Sequence, residues 1–176
     1  MNLPNKLTIG RIIAVPFFVA LYMLGFYIAA LVIFILASLT DMLDGKIARK
    51  RNLVTNFGKI MDPLADKILV YSALALMTGD GTVPAWMLIV ILAREFAISG
   101  MRTVAASEGI VIAAGMSGKI KTVLQMIAVP VLILALALPK VPAVFTAGQV
   151  FIWASLVMTV YSGAEYILKN RKVFSM

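Results

Sequence analysis

The sequence contains no cysteine and no histidine. These absences exclude disulfides, zinc sites built on thiolate or imidazole, haem bound through these side chains, and Ser-His-Asp catalysis. Acid–base chemistry would therefore have to use Asp, Glu, Lys or Tyr. Acidic residues are also few, since eight Asp and Glu stand against sixteen Lys and Arg, and the formal net charge is +8.

Apolar side chains, in contrast, are abundant. They make up 62% of the 176 residues, and the mean hydropathy is +1.00. Because a soluble domain is only about half apolar, this composition predicts an integral membrane protein. Basic loops facing the cytoplasm explain the net charge better than nucleic-acid binding does, so no nucleic-acid partner is expected. The N-terminal apolar run does not lead to a small-residue cleavage site, so no removable signal peptide is expected.

The apolar segments predict an all-α protein with six transmembrane helices, after a short interfacial helix at Asn2–Gly10. A single domain over residues 1–176 is expected, because no internal repeat is evident. Crossing an apolar core of about 30 Å takes about 20 helical residues. The six predicted spans are Arg11–Phe26, Tyr27–Asp44, Lys59–Thr78, Ala85–Ser107, Lys119–Leu138 and Thr146–Leu168.

Short turns separate these spans at Gly25, at Gly79–Gly81 and at Pro139–Pro142. With six spans, fifteen of the sixteen basic residues fall on or toward one side, and only Lys140 falls on the other. This bias predicts that both termini and the acidic residues of the second and third spans face the cytoplasm of a bacterial plasma membrane. Pro16 and Pro130 are expected to bend the helices that contain them.

Two acidic pairs lie in the otherwise apolar second and third spans. Asp41 and Asp44 are three residues apart, and Asp62 and Asp66 are four apart, so each pair lies on one face of its helix. Carboxylates at this depth are costly and point toward a cavity or an ion. Four of them together repel unless they are neutralised, and two divalent cations that prefer oxygen ligands, Mg²⁺ or Mn²⁺, would balance them.

The acidic pairs belong to a longer pattern, Asp-x2-Asp-Gly-x2-Ala-Arg-x8-Gly-x3-Asp-x3-Asp, with eight defined positions across 26 residues. This pattern resembles the signature of the CDP-alcohol phosphatidyltransferases, and every defined position matches. The resemblance extends to Asn2–Arg11, Arg94–Phe96, Arg102 and Gly118–Thr122, which are similar to bacterial members that use sn-glycerol 3-phosphate. The eight positions are Asp41, Asp44, Gly45, Ala48, Arg49, Gly58, Asp62 and Asp66.

The resemblance implies transfer of a phosphatidyl group from CDP-diacylglycerol to sn-glycerol 3-phosphate, with release of CMP. Asp41, Asp44, Asp62 and Asp66 are then the candidate metal ligands, and by analogy with the family Asp66 is also the general base on the acceptor hydroxyl. Membrane lipids and a second copy of the chain, in a homodimer, are the other partners that the resemblance implies.

Other motif residues are candidates for binding CDP-diacylglycerol. Gly45 and Ala48 are one turn apart, and small residues there admit either a nucleotide or a neighbouring helix. Arg49 could pair with an aspartate or hold a phosphate of CDP, and Gly58 permits unusual backbone geometry where the third helix opens. From the N-terminal stretch, the resemblance alone adds Asn5 and Thr8.

A second cluster is cationic. Arg94 and Arg102 lie on the fourth span, and Lys119 and Lys121 begin the fifth. Charges inside a span are costly and indicate function. Basic side chains beside an acidic site suit an acceptor that carries a phosphate, whereas a neutral alcohol would not need them. For the two lysines the alternative is that they only mark a cytoplasmic helix end. Glu95 shares a helix face with Arg102 and could pair with it.

Three other interpretations stay open. The acceptor could be another alcohol, such as inositol phosphate, within the same reaction class. A small cation transporter would also place aspartates in the membrane, although an ion path should continue across it and these acids cluster at one face. An inactive scaffold would be expected to lack one of the aspartates, and none is missing.

Overall fold

The computed structural model describes the backbone of residues 3–50, 56–113 and 115–174. Side chains are described within these ranges except at residues 3–4, 6, 41–50, 56–60, 62–63, 66 and 172–174. The described part is all-α and contains six helices and no strand, which confirms the prediction of an all-α protein. The helices are α1 (Leu3–Met23), α2 (Tyr27–Lys50), α3 (Asn56–Gly79), α4 (Ala85–Ser107), α5 (Met116–Ala137) and α6 (Pro142–Phe174).

The prediction of a separate interfacial helix at Asn2–Gly10 is wrong over the described residues. From Leu3 onward the chain runs without a break into α1, which also contains Pro16. Thr8 and Arg11 are 0% and 2% exposed, so this part of α1 packs into the bundle. The two buried residues lie on either side of Gly10, and the helix is continuous between them.

Within the residues that the structure describes, two helices are long and apolar enough to cross a membrane, at Met116–Ala137 and Pro142–Arg171. Shorter apolar helical stretches occur at Leu7–Met23, Tyr27–Thr40 and Lys67–Gly79. The apolar helices indicate a membrane protein, because the bundle also exposes many large apolar side chains, among them Phe17 and Val157 at 61% and 64% exposure.

Tight turns join consecutive helices at one end of the bundle. Gly25 has φ +79° and Gly81 has φ +81°, the left-handed region that favours glycine. At the first turn, the amide of Phe26 donates to the carbonyl of Leu21 at 2.9 Å, and Gly25 donates to Tyr22 at 3.0 Å. This pairing satisfies the last carbonyls of α1 and turns the chain back at once into α2.

The core is formed mainly by α1, α2, α3 and α5 around fully buried side chains such as Phe18, Phe34 and Leu74. Helices α5 and α6 pack closely against each other. A Cβ added at Gly148 would lie 2.6 Å from Cδ2 of Leu132, so only glycine permits this contact. Helix α4 packs against α6 and, less extensively, against α3. Parts of α3, α4, α5 and α6 thereby line an open cavity that contains several charged side chains.

Candidate active site

A cavity of about 640 Å³ lies among α3, α4, α5 and α6, at the end of the bundle where α3 and α5 begin and α4 and α6 end. Cationic side chains outnumber acidic ones in its lining, and such an excess in a partly desolvated cleft favours an anionic ligand. The charged residues that line it are Lys67, Arg94, Arg102, Lys119 and Lys169, with Glu95 and Glu165.

Glu95 is the centre of the charge network in this cavity. Its Oε2 accepts from Lys121 Nζ at 2.7 Å and lies 3.3 Å from an Nη1 of Arg94. Its Oε1 lies 3.2 Å from Nζ of Lys67, which also donates to Ser99 at 3.1 Å. One carboxylate therefore binds cations from three helices, and both of its oxygens are used.

The side chain of Arg94 packs closely between α5 and α6. Its Nη2 donates to the hydroxyl of Ser162 at 2.9 Å. A Cβ added at Gly163 would lie 3.1 Å from Cγ of Arg94, and one added at Gly118 would lie 3.4 Å from its Nη2. The two glycines thus leave room for the guanidinium, which keeps a side-chain exposure of 14%.

Arg102 is oriented by an aromatic ring and not by an acid. Its guanidinium carbon lies 5.7 Å from the centroid of the Tyr166 ring, within the range of a cation–π contact. Among the residues that the structure describes, neither Arg102 nor Lys119 forms an ion pair with an acidic side chain. Positive charge at these two positions is therefore available to a bound anion.

The α6 side of the cavity is ordered by Glu165. It accepts hydrogen bonds from the hydroxyl of Ser117 and, at 2.5 Å, from Nζ of Lys169 one turn later. Ser117 is 9% exposed, so this contact closes the junction between the start of α5 and the end of α6.

Three of the four side chains predicted to bind the acceptor phosphate line this one cavity: Arg94, Arg102 and Lys119. The fourth, Lys121, is 3% exposed, is paired with Glu95, and does not line the cavity. The suggested pairing of Glu95 with Arg102 is wrong, because the nearer cations of three helices occupy the carboxylate.

The four motif aspartates lie on helical backbone, with Asp41 and Asp44 late in α2 and Asp62 and Asp66 early in α3. Their side chains are outside the described residues, as are those of Ala48 and Arg49 and the surroundings of Gly45 and Gly58. Asp66 is next to the cavity along the chain, because Lys67, which lines it, follows Asp66 directly. Asp41 and Asp44 lie toward the end of α2 that leads into the start of α3.

Helical register relates the acidic pairs to the core. On α2 the buried positions Ala30, Phe34 and Ala37 are spaced three or four apart, and the same spacing continues to 41 and 44. On α3 the buried positions Ala65, Leu69 and Ala73 follow a stripe that is adjacent to 62 and 66. Positions 41 and 44 are thus in register with the buried stripe of α2.

The chemistry of the donor set fits divalent cations. Carboxylate oxygens are the ligands that Mg²⁺ and Mn²⁺ prefer, and the chain offers no thiolate or imidazole. Among the residues whose side chains the structure describes, no group of three or more acidic side chains comes together that could hold a metal ion. Asn5 and Thr8, predicted to contact substrate, are buried on α1 at 9% and 0% exposure.

Several cavity residues were missed by sequence reasoning. Ser162, Glu165, Tyr166 and Lys169 line the cavity from α6. Their spacing of three, four and seven residues is that of one helix face, so a polar stripe on an apolar span was the available signal. Lys67 was used only as one of the fifteen basic residues that predict the cytoplasmic side of the membrane.

Comparison with known proteins agrees with these observations. The profile of the CDP-alcohol phosphatidyltransferase family matches residues 1–161. A Bacillus subtilis protein named CDP-diacylglycerol–glycerol-3-phosphate 3-phosphatidyltransferase is 46% identical, covering 96% of this chain and 95% of its own. A Rickettsia bellii protein of the same name is 37% identical, covering 98% and 97%. A Mycobacterium tuberculosis protein named probable phosphatidylglycerophosphate synthase is 36% identical, covering 96% and 81%.

The chain belongs to the CDP-alcohol phosphatidyltransferase family. The family match covers the acidic motif and the cavity residues of α3, α4 and α5, and it ends at residue 161, before the cavity residues of α6.

Proposed function

We propose that this protein transfers the phosphatidyl group of CDP-diacylglycerol to sn-glycerol 3-phosphate, forming phosphatidylglycerol phosphate and CMP. The names and near full-length coverage of its relatives support the reaction. One structural observation supports sn-glycerol 3-phosphate as the acceptor. A cavity with Arg94, Arg102 and Lys119 in its lining adjoins the helix turn that holds Asp66, and such a cavity suits an alcohol that carries a phosphate.

In this proposal the acceptor phosphate binds to the cationic side chains, and the primary hydroxyl at the other end of the glycerol is directed toward Asp66. The hydroxyl oxygen attacks the phosphorus of the phosphatidyl group, a new P–O bond forms, and the bond to CMP breaks. Asp66 takes the hydroxyl proton as general base, and CMP leaves with the electrons of the broken bond.

Asp41, Asp44, Asp62 and Asp66 would hold two divalent cations, Mg²⁺ or Mn²⁺. When bound, these ions supply charge neutralisation on the pyrophosphate and stabilise the leaving group. Contacts to the CDP-diacylglycerol headgroup are proposed for further residues of the motif and of α1, namely Gly45, Ala48, Arg49, Gly58, Asn5 and Thr8.

Within the cavity we assign the acceptor phosphate first to Arg102 and Lys119. Neither has an acidic ion-pair partner among the described residues, so binding an anion costs them no existing ion pair. Arg94 also reaches the cavity but is partly committed to Glu95 and Ser162. Lys121 remains a predicted ligand, although it would first have to exchange its contact with Glu95.

The proposal also includes the placement of the chain as one domain over residues 1–176. Six helices cross a bacterial plasma membrane, with the cavity and both termini on the cytoplasmic side, as the distribution of fifteen of sixteen basic residues favours. The diacylglycerol chains then remain in the lipid while the headgroup reaches the acidic site. Two copies form a homodimer through helix packing.

The test is an acceptor screen with purified protein, CDP-diacylglycerol and Mg²⁺, read as release of CMP. sn-Glycerol 3-phosphate is compared with inositol phosphate, free glycerol and a phospholipid acceptor, each with and without a chelator. Metal-dependent CMP release with sn-glycerol 3-phosphate as the preferred acceptor supports the proposal. Preference for another acceptor changes the substrate, and cation flux in vesicles without CMP release would instead indicate a transporter.

A further inference from the structure

We propose that Glu95 is a positioning residue for the acceptor. It holds the cationic wall of the cavity in place, and through Lys67 it fixes that wall relative to the helix turn that carries Asp66. This inference rests on the proposed function, because it concerns how the same cavity orients a phosphorylated acceptor.

Cations from three helices converge on the carboxylate of Glu95. Lys67 on α3, Arg94 on α4 and Lys121 on α5 all lie within 2.7 to 3.3 Å of its two oxygens. Without the carboxylate, these three cations would face one another across a few ångströms of poorly solvated protein. Glu95 therefore determines where each of them can lie.

Lys121 is buried where it pairs with Glu95. Its side chain is 3% exposed, so its ammonium depends on a neighbouring acid. Among the described residues, Glu95 is the acid that binds it. Removing one partner of a buried ion pair leaves an uncompensated charge, which is more damaging than removing both. A neutral residue at 95 should therefore displace Lys121 and, with it, the start of α5.

Glu95 is also connected to α3, through its ion pair with Lys67. Lys67 directly follows Asp66, and its ammonium is held by both Glu95 and Ser99 of α4. The distance between the acceptor cavity and the proposed general base is thereby set by a contact between two helices that pack together only sparsely. Small misplacements of reacting groups cause large losses in rate, so this contact should matter for turnover.

The central experiment compares Glu95→Gln with Glu95→Asp in the purified full-length protein. Glutamine keeps the volume but has no charge, and its NH₂ group replaces one of the two oxygens that now bind Lys67 and Lys121, so it cannot bind both as Glu95 does. We expect Glu95→Gln to raise KM for sn-glycerol 3-phosphate by about tenfold or more, with KM for CDP-diacylglycerol changed less than about twofold. Glu95→Asp keeps the charge and should recover most of the affinity. Glu108→Gln, the same exchange at an exposed residue after α4, is the matched control and should behave as the unchanged protein.

A double substitution distinguishes whether Glu95 positions several cations or only neutralises the charge of Lys121. In Lys121→Met the buried ammonium is gone, so an acid is no longer needed to neutralise it. If Glu95 acted only through Lys121, adding Glu95→Gln to Lys121→Met would change neither KM nor stability further. We expect the added exchange to raise KM for the acceptor by about another threefold or more, because Lys67 and Arg94 are also released. Equal KM values in the single Lys121→Met and the double variant would overturn the proposal.

A binding measurement keeps this test independent of the acceptor's identity. Inorganic phosphate should raise the thermal unfolding midpoint of the unchanged protein and of Glu108→Gln, and should have a much smaller effect on Glu95→Gln. An unchanged phosphate effect in Glu95→Gln contradicts the role of Glu95. Failure of sn-glycerol 3-phosphate to release CMP, with the phosphate effect intact in the unchanged protein, would instead contradict the proposed acceptor.

Discussion

The guanidinium of Arg102 lies over the ring of Tyr166, with 5.7 Å between the guanidinium carbon and the ring centroid. This contact joins the end of α4 to the end of α6 across the cavity. It orients a cation without neutralising it, because an aromatic face attracts positive charge through its quadrupole and carries no net charge of its own. An arginine held in this way keeps its full charge for a bound anion.

The contact predicts different outcomes for two substitutions of Tyr166. Tyr166→Phe keeps the aromatic face, and the hydroxyl it removes has no hydrogen-bond partner within the described residues, so KM for the acceptor should change less than about twofold. Tyr166→Leu removes the face, and losing about 0.5–2 kcal/mol of cation–π energy should raise that KM by about 2- to 30-fold. Steady-state CMP release checks both, and an equal effect of the two variants would contradict the assigned role.

The close packing around Arg94 can be tested by substituting Gly163. A Cβ at Gly163 would lie 3.1 Å from Cγ of Arg94, tighter than an ordinary contact. Because Arg94 is also held by Glu95 and Ser162, it cannot move aside freely. Gly163→Ala should therefore lower kcat/KM for the acceptor by about threefold to tenfold, a cost of order 1 kcal/mol.

The matched control for that glycine is Gly100→Ala. Gly100 lies in α4 with no atom within 4 Å of an added Cβ. Alanine is favoured over glycine in a helix interior by about 0.5–1 kcal/mol, so this variant should be as active as the parent and slightly more stable. A similar loss of activity in both variants would mean that Arg94 is not the cause.

Packing between α5 and α6 gives a prediction on stability. At Gly148 an added Cβ would lie 2.6 Å and 2.8 Å from side-chain atoms of Leu132 and 3.3 Å from its backbone nitrogen. Gly148→Ala should therefore destabilise the protein by about 1–3 kcal/mol, measured as a lower thermal unfolding midpoint in detergent. Shortening Leu132 to Ala in the same chain removes the clash, so the double variant should be more stable than the sum of the two single effects predicts.

The proposed metal site and general base predict loss of turnover with retained folding. Asp66→Asn removes the proton acceptor and should lower kcat by about 10²- to 10⁴-fold. A chelator should abolish CMP release, and Mg²⁺ or Mn²⁺ should restore it. CMP release by Asp66→Asn at the parental rate would rule out its role as base.

Asp80 provides the aspartate control at the opposite end of the bundle. Its carboxylate accepts from the hydroxyl of Tyr22 at 2.5 Å and from the amide of Thr82 at 2.9 Å. Asp80→Asn should therefore leave kcat within about twofold of the parent but lower the free energy of unfolding by about 1–3 kcal/mol, since these are hydrogen bonds to a charged group. Loss of activity without loss of stability would contradict this assignment.

Much of the fold follows from local sequence. The bounds of α4, Ala85–Ser107, are those predicted, because polar turns and glycine mark both ends. The turns at Gly25 and Gly81 were also predictable, since their positive φ requires a residue without a Cβ. The continuity of α1 through Gly10 was not, because the packing of Thr8 and Arg11 that holds it comes from other helices.

The sequence by itself determined the all-α class, the spacing of the four aspartates and the concentration of positive charge toward one end. These depend on helical periodicity and composition, which act over a few residues. Only the tertiary structure decided that Arg94, Arg102 and Lys119 share a cavity and that Lys121 is committed to Glu95. Glu95 and Lys121 are 26 residues apart along the chain, and Arg94 and Ser162 are 68 apart. Which of several cations reaches one buried carboxylate is set by how the helices pack, and no local pattern records it.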